Sequence, residues 1–104
     1  MKRLMIIPTL ALVLGGSAAI AAQPKPYVGH ELASTAHITL AQAQATALKA
    51  RPGQLTDKEL EKEAGGSGLR YSFDIKSNGK VYEVGIDAQT GKILENKAEG
   101  SKPD

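Results

Sequence analysis

The chain has 104 residues, no cysteine, and 13 Lys+Arg against 11 Asp+Glu. That length holds one small domain, and without cysteine it can be neither stapled by disulfides nor lipidated at an N-terminal thiol. Two of the cations, Lys2 and Arg3, lie in a segment read below as removable. Without them the formal charge is zero, and nothing argues for nucleic acid or an anionic membrane as partner.

Met1-Lys2-Arg3 is a positive start, and Leu4–Leu14 is an apolar stretch interrupted only by Pro8 and Thr9. Gly15–Ala22 is rich in small residues and offers an A-x-A site at Ala19-Ile20-Ala21. This is the layout of a secretory signal peptide, so residues 1–22 are expected to be cleaved after Ala21 or Ala22 and the protein to be periplasmic or secreted. The apolar stretch of 11 residues falls short of the roughly 20 that span a bilayer. Residues 23–37 carry two prolines, a glycine and no period, and are expected to form a flexible lead-in, a tether or a strand added late. His30, Glu31 and His37 fall here, at spacings that match no metal motif, so no metal or other cofactor is expected.

Thr39-Leu40-Ala41-Gln42 fits a capping box, with Thr39 as N-cap and Gln42 reaching back. The Ala-, Gln- and Leu-rich run to Ala50 favours helix, and Leu40, Ala43, Ala47 and Leu48 form its buried stripe. Alanines in mid-stripe imply close approach to a sheet. Arg51-Pro52-Gly53 stops the helix, because proline disfavours helical geometry in the residue before it. Gln54–Ala64 has two local solutions. One is a helix opened by a second capping box at Thr56. The other is a charged edge strand with Leu55 and Leu60 on opposite faces. Gly65-Gly66-Ser67-Gly68 matches neither a phosphate loop nor a nucleophile elbow and reads as a hairpin loop.

Leu69–Gly91 is the most legible stretch. Asn78-Gly79 between alternating runs signals a two-residue hairpin turn of type I′. That turn sets the register: Ser77 faces Lys80, Ile75 faces Tyr82, Phe73 faces Val84 and Tyr71 faces Ile86, all on one face. The other face carries Arg70 opposite Asp87, Ser72 opposite Gly85, Asp74 opposite Glu83 and Lys76 opposite Val81. Asp87-x-x-Thr90-Gly91 is a turn whose side chains bond its own amides, leading to a strand over Lys92–Lys97 with Ile93 on the same face as Ile86. Residues 98–104 form a polar tail.

Thr39-Leu40-Ala41-Gln42-Ala43, Ala47-Leu48, Pro52-Gly53, the E-L-E-K-E run Glu59–Glu63, Tyr71, Tyr82-Glu83-Val84 and Asp87-x-x-Thr90-Gly91-Lys92 together resemble the PepSY domain. The resemblance covers about Ile38–Glu95, and the domain is taken as residues 38–97. It implies an α+β fold, one N-terminal helix packed on a curved antiparallel sheet of three to four strands, broadly cystatin-like. It also implies that residues 54–63 are the first strand. The Gly65–Gly68 insert is longer than the family's usual turn. PepSY domains occur in propeptides of thermolysin-type secreted metalloproteases, so a non-enzymatic interaction domain that inhibits or regulates a protease in trans is the expectation the resemblance carries.

No Ser/His/Asp constellation or carboxylate pair has a supporting context, so no catalytic residue is assigned. The candidate partner-binding residues are Arg70, Asp74, Lys76, Glu83 and Asp87 on the polar sheet face, with a free sheet edge as the other candidate surface. Asp74 opposite Glu83 is a like-charge pair that a partner contact would explain. An ordinary solvated face, with Lys76 diagonal to Glu83, would also accommodate it. The expected partner is another protein, a secreted protease or a second copy of the chain in a homodimer. The alternative is a small periplasmic ligand- or metal-binding protein, with a pocket between helix and sheet.

Overall fold

The computed structural model describes residues 26–100, so the signal-peptide reading of residues 1–22 lies outside the described residues. A 3-10 helix, His30–Thr35, leads into α1 (Leu40–Ala50), then β1 (Gln54–Lys62), β2 (Leu69–Ser77), β3 (Lys80–Asp87) and β4 (Ile93–Ala98). The strands form one antiparallel sheet in sequential order, with α1 packed on one side. The fold is α+β, as expected.

The β2–β3 hairpin follows its turn. Asn78 and Gly79 have φ of 54° and 79°, the two positive values a type I′ turn needs. Every predicted pair is formed, from Ser77 with Lys80 to Arg70 with Asp87. Tyr71, Phe73, Ile75, Val84 and Ile86 are accordingly buried in one core face.

The helix begins where its cap says. Thr39 Oγ1 accepts from Gln42 N at 3.1 Å, and Thr39 N donates to Gln42 Oε1 at 2.9 Å. Ala43 and Ala47 are fully buried against the sheet, while Leu40 and Leu48 flank them half-buried. At the other end Arg51 lies over the Tyr82 ring, 3.7 Å from its centroid, and donates to Asn96 Oδ1 at 3.2 Å. The helix terminus is thereby tied to both β3 and β4.

The charged segment 54–62 is β1, the family's solution rather than the local helical one. The expected placement of Leu55 and Leu60 on opposite faces does not hold. Leu55 and Leu60 are five apart and would sit on opposite faces of a regular strand. A bulge between Leu55 and Asp57 adds one residue, so Leu55 pairs with Ile75 and Leu60 with Tyr71. Both leucines therefore face α1's side.

The lead-in is docked where it is described, not a loose tether. Leu60 N donates to Val28 O at 2.9 Å, making a parallel bridge on the outer edge of β1. His37 N and Ile38 N both donate to Ala88 O, at 3.0 and 2.9 Å. Gln89 closes the contact, donating from Nε2 to Thr35 O at 2.7 Å and accepting from His37 N at 3.2 Å. This is the late-added strand in minimal form.

Candidate functional site

The helix and the 3-10 lead-in lie on one side of the sheet; among the described residues nothing covers the other side. Its side chains form rows across the strands. Asp57, Asp74, Glu83 and Lys97 make one row; Glu59, Ser72, Gly85 and Glu95 the next; Glu61, Arg70 and Asp87 a third. Glu63 and Glu99 extend the same face at its corners. Among the described residues, and apart from Asp87, eight carboxylates stand on this face against three cations, Arg70, Lys76 and Lys97.

The five predicted site residues separate into two groups. Arg70 and Asp87 are inside, 7% and 2% exposed. Asp74, Glu83 and Lys76 remain accessible, the first two half-buried and the lysine exposed. Arg70 lies flat because Gly85 beside it has no side chain. A Cβ there would stand 3.1 Å from Nη1. Arg70 Nη1 pairs with Glu95 Oε1 at 3.3 Å, and Nη2 donates to Ala64 O at 3.1 Å. Its Nε has no hydrogen-bond partner among the described residues.

Asp87 is an acceptor hub. Oδ2 accepts from Ser67 N at 2.7 Å. Oδ1 accepts from Ser67 Oγ at 2.8 Å, Gln89 N at 2.8 Å and Thr90 N at 3.2 Å. Burial opposes its ionisation, but these hydrogen bonds outweigh it and lower the pKa to about 2. The side chain holds the β1–β2 loop against the β3–β4 turn. The glycine-rich loop is thus tied down through Ser67 and Ala64. Arg70 and Asp87 therefore build the platform, and the accessible surface lies on either side of them.

That surface resists its own charge. Partial burial raises the pKa of Asp74 and Glu83 first; repulsion adds to it, from Glu99 and Asp57 at Asp74, and from Glu95, Asp74, Glu99 and Glu61 at Glu83. Glu59 is raised by burial and then by Glu61, and Glu63 chiefly by a hydrogen bond with Glu61. Lys76 makes no ion pair with Glu83 within 4.0 Å, so the screening expected of that diagonal is absent as a contact. Asp57, Glu59, Glu61, Glu95 and Glu99 were not among the predicted site residues. The signal for three of them was available: Asp57, Glu59 and Glu61 alternate, which puts them on one face once the segment is a strand.

His30 and His37 are both exposed. Among the described residues no group of three or more His, Cys, Asp or Glu is placed to hold a metal ion. No helix among them is long and apolar enough to cross a membrane.

The family model described as "Peptidase propeptide and YPEB domain" matches residues 38–97. That match spans more than half of the sequence and every element from the helix cap through β4. The chain belongs to the PepSY family. No curated protein and no solved structure matches it. PepSY domains are generally non-catalytic propeptide or regulatory domains that act on proteins. The match begins at Ile38, so the docked segment 27–37 and its bridge to β1 lie outside the PepSY region proper.

Proposed function

We propose that this protein is a periplasmic or secreted, non-enzymatic PepSY interaction domain that regulates a protease in trans through the open face of its sheet. The observation that carries the reading is the run Asp57–Asp74–Glu83, in which like charges stand directly opposite on neighbouring strands; Lys97, across from Glu83 at the end of the row, makes its ion pair with Glu95 instead. Such pairs destabilise a sheet, and a basic partner surface is what would turn them into an advantage. Asp74, Glu83 and Lys76 contact the partner in this reading. Arg70 and Asp87 keep the face flat and rigid beneath it.

The face is accessible, more than one strand wide and dominated by one sign of charge. These properties favour electrostatically steered encounter with a protein of opposite sign. The leader-like residues 1–22 and the family support an encounter outside the cytoplasm. The test is capture from a periplasmic extract of the source cell, followed by assay of the captured protein. A protease that is retained, and whose turnover slows when this protein is added, supports the reading. Retention and slowing should both weaken in the Asp74→Asn/Glu83→Gln double variant. Capture of a non-protease would keep the interaction domain and remove the protease from the proposal.

A further inference from the structure

One helix cannot cover four strands. A helix with its side chains is about 10–12 Å wide, whereas four strands at about 4.8 Å spacing span roughly 15–19 Å. α1 lies over β2, β3 and β4, and the 3-10 lead-in lies over β1. Between them runs a groove of about 840 Å³, within the roughly 300–1,000 Å³ usual for small-molecule sites. Tyr27 and Ala36 of the lead-in form one wall, Leu40, Ala45 and Leu48 of α1 the other, and Tyr71 the floor. The Tyr71 hydroxyl is already committed to Ile38 O at 2.7 Å, which leaves its ring as lining.

Lys58 alone among the lining residues is charged. It stands on the apolar side of β1, opposite the fully buried Phe73, where the strand's alternation calls for an apolar residue. It makes no ion pair among the described residues. The carboxylates of β1 all point to the opposite face. An apolar trough with one unpaired cation is complementary to a molecule with an apolar body and one negative head. We propose that the groove binds a single-chain amphiphilic carboxylate, a free acyl acid, with the chain between α1 and the lead-in and the head at Lys58. The site is on the reverse of the sheet from the acidic face and does not depend on what that face binds.

The test uses the full chain and three probes of one chain length, below their aggregation concentrations: decanoate, 1-decanol and decyltrimethylammonium. Amide NMR locates binding and titration gives affinity. Decanoate should shift Ala36, Leu40, Ala45 and Leu48, and bind about fivefold more tightly than decanol, the worth of a half-exposed charge pair. Lys58→Gln should bring decanoate down to decanol's affinity while leaving decanol unchanged. Ala45→Trp, at an exposed helix position that needs no core rearrangement, should abolish both by filling the trough. Equal binding of all three head groups, shifts confined to residues outside the groove, or an unchanged preference in Lys58→Gln would each overturn the proposal.

Discussion

Asp87 accepts four hydrogen bonds through two oxygens, and three of the four donors are backbone amides that have no other role in the sheet. Asp87→Asn keeps the shape but turns an amide donor toward Ser67 or toward Gln89 and Thr90. The expected cost at pH 7 is about 2 kcal/mol, the range for hydrogen bonds to a charged acceptor, read from urea midpoints. The pH dependence follows from the lowered pKa. An unfolded Asp87 titrates near 3.8 and the folded one at about 2. The stability it contributes is therefore fully present above about pH 4 and lost as pH falls through about 2. The gap between wild type and Asp87→Asn should close across that window. The acidic face works in the opposite sense. Asp74, Glu83 and Glu59 have raised values, so folding gains stability as pH falls through those values toward the ordinary carboxylate range. Wild-type stability should pass through a maximum on the acidic side of neutrality, above about pH 4, and decline below it. A curve that falls monotonically from pH 7 would contradict the raised values. The turn role of Asp87 was legible, because Asp-x-x-Thr-Gly states it. Its bond to Ser67 was not: the two are 20 residues apart and only the sheet brings them together.

At the scale of elements, local signals were most reliable where the physics is local. The Asn78-Gly79 turn dictated a full ladder of pairs, and the Thr39 cap dictated the helix start, each through backbone geometry within four residues. Thr39→Ala should accordingly cost about 1 kcal/mol, seen as a lower urea midpoint with an unchanged slope. What stayed hidden depends on distant partners. The bulge that turns Leu55 inward is set by Ile75 and Tyr71 on the neighbouring strand. The docked lead-in is set by Leu60 and Ala88. Gly29 carries that docking: its φ is +87°, and a Cβ there would collide with the Leu60 carbonyl. Gly29→Ala should therefore release residues 27–37 from β1 while the hairpin persists. Hydrogen exchange would show Leu60 N–H, bonded to Val28 O in the native fold, losing protection. Phe73 N–H in the sheet interior should keep its own. Loss of protection at both would mean that the lead-in is integral to the fold and not an appended layer.

At the scale of the whole molecule, one sheet has two unlike sides. The helix side holds the core, and the open side holds the carboxylates. Alternation made the division between core and polar side visible in the sequence. The sign of the open side was not, because half its acids come from a segment whose strand character had to be settled first. Its net charge then decides a test between a solvated face and a working one. Asp74→Asn with Glu83→Gln removes the like-charge contacts of the central row and keeps the side-chain shapes. Cross-strand pairs of this kind are worth about 0.2–1 kcal/mol each, so the double variant should be more stable than wild type at neutral pH by up to about 1 kcal/mol. Its stability should also respond less to mild acid. A merely solvated face would show that gain and nothing else. A face kept acidic for a partner should show the gain together with a loss: slower capture, and weaker dependence of capture on ionic strength, since steering by charge is screened over about 10 Å at 0.1 M salt. Stability given up at a surface and recovered on its neutralisation, with binding lost in the same step, is the pattern expected when charge is retained for recognition. Unchanged capture in the more stable variant would remove the acidic face from the proposed function and leave the free edge of β4 as the surface to test.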